Sequence, residues 1–355
     1  MNESSIPRTT LSPQAPQYTI SRVIKGGWQL AGGHGRLERE QALRDMRLYV
    51  QAGITTFDCA DIYTGVESLT GEFLGRHHAD FCQGNLPPVQ VHTKYVPDLA
   101  SLPELDRAGE ERIIDRSLQR LGLDCLDLVQ FHWWDYQIPG YVQAACHLRD
   151  LQRAGKIRYI GLTNFDVSRL EQIMDAGVPV VSNQIQYSVL DRRPESDMVR
   201  SCSGHGIGLL CYGTLAGGLL SDRYLGAPQP GPPFENRSLT KYMLIVDEFG
   251  GWDLFQELLA VLKEAGGKYG ASIAAVATRW VLQRPGVAAA IVGARHAGHL
   301  PDTLRLFDFS LDAEDLAAIE RITDQAQGPE GDVYALERIK GGKHAAIMKV
   351  NLSQS

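Results

Sequence analysis

Short apolar runs and amphipathic segments alternate along most of this chain, and the alternation predicts its fold. Eight runs rich in β-branched, leucine and aromatic residues are typical of buried strands. These runs are Ile24–Leu30, Gly53–Phe57, Val89–Lys94, Cys125–Phe131, Ile157–Leu162, Val180–Ile185, Ile207–Cys211 and Val287–Val292. Between them lie helical patterns such as Glu38–Ala52, where Leu43, Met46 and Val50 share one face. Strands that alternate with helices indicate a parallel sheet with helical crossovers.

Two α/β architectures are compatible with this alternation, and the first strand distinguishes them. A doubly wound open sheet needs a glycine-rich phosphate turn after that strand, and no G-x-G-x-x-G pattern follows Ile24–Leu30. An eight-stranded barrel instead predicts functional side chains at the carboxyl ends of its strands. Such side chains stand at or near these ends: Trp28, Asp58, Lys94, His132, Asn164, Gln184, Tyr212 and Gly293. The sequence therefore predicts a (β/α)8 TIM barrel.

We expect this barrel to occupy residues 18–326 as one domain, with Tyr18–Val23 forming one arm of a short N-terminal hairpin. Residues 1–17 are polar, contain three prolines and lack an apolar core, so we predict a flexible tail rather than a signal peptide. Residues 327–355 show no clear periodicity and are predicted to be an irregular tail. The Pro- and Gly-rich stretch Gly226–Asn236 predicts a long loop.

Charge and cysteine content exclude several classes of protein. The chain carries 35 Lys and Arg residues against 42 Asp and Glu residues, a formal net charge of −7, without a basic cluster. This balance argues against nucleic acid or a membrane surface as partner. Six scattered cysteines without a C-x-x-C pair suit a reducing compartment, and no apolar run approaches the roughly 20 residues that span a bilayer. No spacing predicts a metal site, since the adjacent His77 and His78 cannot share one helix face. We therefore expect a soluble cytoplasmic protein.

Four side chains near strand ends could act together on a proton. Tyr63 follows Asp58 by five residues, but a free phenol with a pKa of about 10 is a sluggish acid near neutrality. A cation such as Lys94 would stabilise its phenolate, and Asp58 would hold that cation in place. His132, as a neutral imidazole, could donate a hydrogen bond to a substrate oxygen. Structural interpretations compete with these roles: a helix cap for Asp58, a surface position for Tyr63, a solvated Lys94 and a structural His132.

Longer motifs resemble those of the aldo-keto reductase superfamily, in that family's order and over about residues 20–320. The matching segments are Asp58–Tyr63, His92–Lys94, Gln130–Trp134, Gly155–Phe165, Ser182–Tyr187 and Ile291–Arg295. The resemblance implies a barrel that transfers a hydride between a bound nicotinamide nucleotide and a carbonyl or alcohol. It implies that Tyr63 is the general acid in reduction, or the base in oxidation, and that Asp58 and Lys94 tune it. His132 would orient the substrate oxygen.

The same resemblance implies NADPH as the favoured cofactor, with NAD possible. Asn164 and Gln184 match the residues that bind the carboxamide, and Thr163 stands where many members have Ser. Tyr212 matches the aromatic residue that stacks on the nicotinamide, and Gly213–Leu220 resembles the loop that contacts the pyrophosphate. The full implied cofactor set is Gly26, Gly27, Trp28, Asp58, Thr163, Asn164, Gln184, Tyr212, Gly213, Leu215, Gly217, Gly218, Gly293, Arg295 and His299.

The adenosine end departs from the family's pattern, which often has a basic residue for the 2′-phosphate and then Glu-Asn for the adenine. Arg295 could bind a phosphate, but His299 and Thr303 differ from the commoner residues. The segment Leu225–Phe249 allows two interpretations, a clasp that folds over the cofactor or a passive surface loop.

Three functions remain open from the sequence. The favoured one is an NAD(P)H-dependent reductase of aldehydes or ketones, with Tyr63 as proton donor. The alternatives are an alcohol or sugar dehydrogenase that works in the oxidative direction, and a nicotinamide-binding protein that senses redox state for a partner. An aromatic pocket for a small carbonyl or alcohol substrate is predicted from Trp28, Trp133 and Trp134. The sequence assigns neither the physiological substrate nor the oligomeric state.

Overall fold

The computed structural model describes residues 6–32, 35, 37–293 and 295–352, and its main feature is a closed barrel of parallel strands. Strands β1 (Arg8–Thr10) and β2 (Thr19–Ser21) form an antiparallel hairpin ahead of the barrel. The barrel strands are β3 (Val23–Gly26), β4 (Thr56–Asp58), β5 (Gln90–Tyr95), β6 (Leu126–Phe131), β7 (Ile157–Thr163), β8 (Val180–Gln186), β9 (Gly208–Tyr212) and β10 (Val287–Gly293). Neighbouring barrel strands follow chain order, and β10 closes the barrel against β3. The predicted (β/α)8 barrel with a short N-terminal hairpin is confirmed.

Helices surround the barrel and continue over part of its carboxyl end. They are α1 (Arg39–Gln51), α2 (Val66–Arg76), α3 (His78–Cys82), α4 (Arg107–Leu121), α5 (Tyr141–Arg153), α6 (Val167–Asp175), α7 (Met198–His205), α8 (Arg237–Phe249), α9 (Gly251–Tyr269), α10 (Ile273–Leu282), α11 (Leu300–Leu304), α12 (Ala313–Thr323), α13 (Ala335–Arg338) and α14 (Lys343–Ala346). Capping side chains mark the start of several of these helices. The side chains of Asp106 and Asp166 accept hydrogen bonds from backbone N–H groups in the first turns of α4 and α6.

Apolar side chains form two layers, one inside the barrel and one between the strands and the helices. The inner layer consists of Leu11, Ala15, Tyr18, Ile20, Ile24, Leu128, Val181, Leu210, Ala288, Ala289 and Ile291. The outer layer is larger and includes strand residues such as Val129 and helix residues such as Leu148. Strand alternation explains the division for most strand residues, because successive side chains face opposite sides of a sheet; the register of β10 shifts between Val287 and Ala289, where Ala288 and Ala289 both belong to the inner layer.

Part of the predicted flexible tail is packed against the barrel. Leu11 and Ala15 are buried, and the Ser12 hydroxyl donates a 2.6 Å hydrogen bond to the Gly206 carbonyl. The Tyr18 hydroxyl lies 3.0 Å from His92 Nε2 inside the barrel. The prediction of flexibility is therefore wrong for residues 6–17, because their contacts lie in distant parts of the chain; residues 1–5 lie outside the described part.

The segment predicted as clasp or loop contains a full helix. Asn236 accepts a hydrogen bond from Leu239 N, and α8 follows it directly. Tyr242 and Met243 of this helix are buried, which removes the interpretation of a loop throughout Leu225–Phe249. Only Leu225–Asn236 remains without regular helix or strand structure.

Residues 327–352, which we call the C-terminal strap, pack on the carboxyl end of the barrel. The strap contains α13 and α14, which the sequence did not predict, and is otherwise irregular; residues 353–355 lie outside the described range. Its end is fixed by hydrogen bonds from Leu99 N to Val350 O, 2.8 Å, and from Leu352 N to Asp98 Oδ1, 2.8 Å. Among the described helices, none combines the length and apolar character needed to cross a membrane.

Candidate active site

A buried ion pair lies at the carboxyl end of the barrel. Asp58 is the last residue of β4, and its Oδ2 atom accepts a 2.6 Å hydrogen bond from Lys94 Nζ in β5. Its Oδ1 atom accepts hydrogen bonds from Gln184 Nε2 at 2.7 Å and Gln130 Nε2 at 3.1 Å. The Lys94 ammonium also donates to the Cys59 carbonyl at 2.9 Å. Both oxygens of the carboxylate therefore accept hydrogen bonds, from side chains of β5, β6 and β8.

Tyr63 joins this pair from the loop after β4. The Lys94 ammonium lies 4.8 Å from the centre of the Tyr63 ring. Burial alone would lower the pKa of Lys94, but the charge of Asp58 and the contact with Tyr63 raise it overall. Burial raises the pKa of Tyr63, and the Lys94 charge offsets that effect only in part. The site therefore holds a charged amine beside a protonated phenol.

His132 follows β6 and is also buried, and one of its ring nitrogens has a backbone partner. Its Nδ1 atom lies 3.0 Å from the Thr163 carbonyl oxygen, which can only accept a hydrogen bond. Burial, with the positive charge of Arg338, lowers the pKa of His132 to about 3, so the ring is neutral near pH 7. A neutral ring with its proton on Nδ1 has only a lone pair on Nε2. Nε2 has no hydrogen-bond partner among the described residues, and the contact of His132 with a substrate oxygen stays a prediction.

Aromatic rings form the walls beside His132. Trp134 meets the imidazole edge to face at 4.4 Å between ring centres, and Tyr334 of the C-terminal strap does so at 5.5 Å. The ring centres of Trp28 and Tyr63 lie 5.1 Å apart. Trp133, a predicted substrate residue, instead packs with Phe131 in the outer layer and is 1% exposed. The prediction for Trp133 is therefore corrected: adjacent residues face opposite ways, and Trp134 is the one beside His132.

Tyr334 was not predicted, and an ionic cluster holds its segment in place. Its backbone φ is +60°, which is uncommon for a residue other than glycine. Three residues later, Glu337 pairs with Arg193 at 3.3 Å and with Lys241 at 3.5 Å, and the first two side chains are almost fully buried. Burial opposes ionisation of Glu337, but Lys241 and Arg193 lower its pKa to about 2. A charged anchor therefore fixes the wall formed by Tyr334.

The residues predicted to hold a carboxamide lie together. Asn164 has φ +61°, and its Oδ1 atom accepts a 2.9 Å hydrogen bond from the Tyr212 hydroxyl. Gln184 Nε2 donates to Asp58 and to Gln130, so its N–H groups are already engaged and only its carbonyl oxygen remains for a ligand. Thr163 Oγ1 donates to the Gln184 carbonyl at 3.1 Å.

The glycines predicted to bind the cofactor differ in how much space surrounds them. A Cβ atom on Gly26 would lie 2.9 Å from Val292 O, and one on Gly27 would lie 2.5 Å from Asp58 O, so strand packing alone demands both. A side chain on Gly213 would collide with the Tyr242 hydroxyl of α8. Gly218, by contrast, has φ +100° and no atom within 4 Å of its Cβ position.

In the same loop, Gly217 has φ +66° and packs against Tyr242 and Ser238 of α8, and the backbone of Leu215 accepts the Gly218 N–H at 2.9 Å. The space beside Gly218 is therefore open, but the N–H group of Gly218 itself is already engaged within the loop.

The predicted adenosine end lies on the rim, away from the buried pair. Gly293 ends β10 and is exposed, as are Arg295 and His299, while Ala294 lies outside the described residues. His299 stacks on His296 at 5.2 Å between ring centres. The Arg295 guanidinium reaches Gly35 in the loop after β3. Within the described ranges, no group of three His, Cys, Asp or Glu side chains is placed to hold a metal ion.

Helix α8 contributes two cations that sequence reasoning missed. The Arg237 guanidinium lies 5.9 Å from the centre of the Trp28 ring, and the Lys241 ammonium lies 5.2 Å from that of Tyr212. The sequence prediction does not include them, because it treats this segment as a clasp or a loop. Its helical signal was nevertheless present, since Leu239, Met243 and Val246 recur at intervals of three and four residues.

Comparison with known proteins shows which families of proteins this chain resembles. YhdN, an aldo-keto reductase of Bacillus subtilis, is 28% identical over 326 residues, covering 87% of this chain and 93% of YhdN. L-glyceraldehyde 3-phosphate reductase of Escherichia coli O157:H7 is 26% identical, covering 83% and 87% of the two chains. The solved structure of the glycerol dehydrogenase AKR11B4 from Gluconobacter oxydans matches in fold, with a TM-score of 0.75 and 24% identity over 93% of this chain and 98% of that one. The model of the Aldo/keto reductase family matches residues 22–324, and the chain therefore belongs to this family.

Proposed function

We propose that this protein is an NADPH-dependent reductase of small aldehydes or ketones in which Tyr63 donates the proton. The arrangement that carries the proposal is the protonated Tyr63 beside Lys94, with Asp58 2.6 Å from the same ammonium. A solvated surface lysine would not need a buried carboxylate with two further amide donors. Such a buried pair is costly unless its geometry is good, which suits a functional role better than a purely structural one.

The proton step follows from these contacts. As the carbonyl oxygen gains negative charge, the Tyr63 hydroxyl transfers its proton to that oxygen and becomes a phenolate. The Lys94 ammonium stabilises the phenolate, and Asp58 keeps the amine charged in its buried position. Run in reverse, the same phenolate accepts a proton from an alcohol, so the residues themselves permit oxidation. The name of one relative, L-glyceraldehyde 3-phosphate reductase, supports the reductive direction.

The described residues fit a nicotinamide nucleotide, which when bound supplies the hydride. Asn164 and Tyr212 would hold the nicotinamide end, and the open space beside Gly218 would leave room for the pyrophosphate. Arg237 is half-buried above Trp28 and is not paired with a carboxylate within the described residues. It would add a positive charge near the bound nucleotide. Arg295 on the rim favours NADPH through its 2′-phosphate, with NAD use still possible.

The state of the cysteines supports a proposal about where the protein works. All six cysteines are free, and three of them, Cys59, Cys202 and Cys211, are buried. Burial raises the pKa of Cys59 to about 12, so this thiol beside Asp58 is chemically inert near neutrality. Free thiols fit a reducing compartment, and we propose a cytoplasmic enzyme whose partner is a small molecule.

The test compares purified wild-type protein with Tyr63→Phe on a panel of carbonyl compounds, following NADPH and NADH absorbance. We expect Tyr63→Phe to lower kcat by at least about 100-fold, the usual contribution of a general acid, while nucleotide binding measured by fluorescence is retained. Tyr141→Phe, in the outer layer on α5, is the matched control and should keep full activity. Full turnover by Tyr63→Phe would refute the assigned acid, and a strong preference for NADH would refute the proposed cofactor.

A further inference from the structure

Three tyrosine rings surround the ammonium group of Lys241 on α8. Its Nζ atom lies 5.2 Å from the centre of the Tyr212 ring, 5.5 Å from that of Tyr334 and 5.8 Å from that of Tyr242. The lysine side chain is only 16% exposed. A cation is attracted to the face of an aromatic ring, and the attraction strengthens as water is excluded. The fold therefore holds a positive charge beside two rings, Tyr212 and Tyr334, that border the candidate active site.

Glu337 of the C-terminal strap favours the charged form of this amine. Its Oε1 atom lies 3.5 Å from Lys241 Nζ, and its Oε2 atom lies 3.3 Å from Arg193. Asp191 accepts hydrogen bonds from the same guanidinium at 2.9 and 2.7 Å. Burial lowers the pKa of Lys241, and the charge of Glu337 opposes that effect. Lys241 is therefore the positive end of a chain of four alternating charges, and this end lies against the tyrosine rings.

Tyr212 is the ring on which the nicotinamide would stack in the proposed complex. Its hydroxyl donates a 2.9 Å hydrogen bond to Asn164 Oδ1, which fixes the ring beside the residue proposed to hold the carboxamide. Stacked aromatic rings have centres about 4.5–7 Å apart, so a nicotinamide on Tyr212 would lie within about 12 Å of Lys241 Nζ. The nicotinamide ring carries a positive charge in the oxidised nucleotide and none in the reduced one. A fixed ammonium group nearby therefore repels only the oxidised form.

We propose that Lys241 makes the site discriminate between the two redox states of the nucleotide, by weakening the binding of NADP+ relative to that of NADPH. The phosphates and the adenosine are identical in the two forms, so they contribute nothing to this difference. In a reductive cycle NADP+ is the product, and Lys241 favours its release. This inference rests on the proposed reductase function and names a residue that determines which form of its nucleotide is held.

The size of the effect follows from the distance. Two unit charges about 12 Å apart, at an effective dielectric constant of about 20, change an affinity roughly tenfold. Glu337 acts on Tyr212 with the opposite sign, so Lys241 also prevents that carboxylate from favouring the oxidised form. We therefore expect Lys241→Met to lower the ratio of Kd for NADP+ to Kd for NADPH by about 3- to 10-fold.

Equilibrium titration measures both dissociation constants without any turnover. Wild type and variants are titrated with NADPH and with NADP+, followed by protein fluorescence and by calorimetry. Lys241→Gln, which is also neutral, should behave as the Met variant does, whereas Lys241→Arg keeps the charge and should keep the wild-type ratio within about twofold. Lys263→Met is the matched control, because Lys263 pairs with Asp222 at 2.7 Å but its side chain is 52% exposed. This control should leave both constants unchanged.

A purely structural role of Lys241 predicts a different result. If this residue only anchored the strap, its neutral variants would weaken both nucleotides by the same factor, and an unchanged ratio would overturn the proposal. A ratio in Lys241→Arg as low as that in Lys241→Met would also overturn it, because charge would not be the cause. If wild type bound neither nucleotide, the proposed reductase function itself would be refuted, whereas binding of both with the same ratio in wild type and in the neutral variants would refute this inference alone.

Discussion

Replacement of Asp58 by Asn tests whether the buried pair is as important as its geometry indicates. The carboxylate accepts from Lys94 on one side and from Gln184 and Gln130 on the other. An asparagine side chain has one acceptor and one donor, so in either orientation its N–H group faces another donor. Removing one partner of a buried pair usually costs about 3–5 kcal/mol. Because most domains have only about 5–15 kcal/mol of stability, this loss should be easy to measure.

The assay is urea-induced unfolding of wild type and Asp58→Asn, followed by tryptophan fluorescence. Glu235→Gln provides the control, since Glu235 pairs with Arg223 on the surface and both side chains are about 60% exposed. We expect a loss of under about 1 kcal/mol for the control. The double variant Asp58→Asn/Lys94→Met should recover part of the loss, because the amide oxygen is then free to face the two glutamine donors.

Activity gives a second readout of the same change. Without Asp58, burial dominates at Lys94 and lowers the pKa of its amine, so less positive charge remains beside Tyr63. We therefore expect kcat to fall while nucleotide affinity is nearly unchanged. If Asp58→Asn unfolds within about 1 kcal/mol of wild type and keeps its turnover, both the energetic and the catalytic reasoning about the pair are wrong.

Two further substitutions test other buried charges. Burial lowers the pKa of Lys25 in β3 to about 8, whereas an unfolded lysine keeps its proton up to about pH 10. Between these values the unfolded chain binds more protons, so the free energy of unfolding of wild type should rise with pH relative to that of Lys25→Met. Urea unfolding at pH 7 and pH 9.5 measures this difference, and parallel pH dependence in the two proteins would contradict it. Glu337→Gln should lower the free energy of unfolding by about 3 kcal/mol through loss of the buried contact with Arg193, and Lys340→Gln, at an exposed pair, by under about 1 kcal/mol. Equal effects of these two substitutions would show that the anchor of the strap is no stronger than a surface pair.

The barrel was predictable because its signals are local and its topology is simple. Alternating apolar runs and amphipathic segments recur from Ile24 onward, and parallel strands bring their carboxyl ends to one side. That rule alone predicts that Asp58, Lys94 and His132 lie near one another. Tyr63 followed as the nearest group able to move a proton.

Other features depend on contacts that a sequence does not display. Residues 6–17 gain their order from distant partners such as Gly206, and Tyr334 reaches His132 from a segment without clear periodicity. The tautomer of His132 depends on a backbone carbonyl 31 residues away, so no side-chain pattern could have revealed it. Trp133 lies two residues beyond the end of β6, where strand alternation no longer decides which way a side chain faces.

The C-terminal strap divides the site into parts that can change independently under selection. Asp58 and Lys94 are strand residues, and replacing either one breaks a buried pair. Tyr334 belongs to a segment outside the barrel strands, so its replacement reshapes the pocket without disturbing that pair. Substrate range can therefore drift while the chemistry stays constant, and a mutant library aimed at new substrates would be best concentrated in the strap.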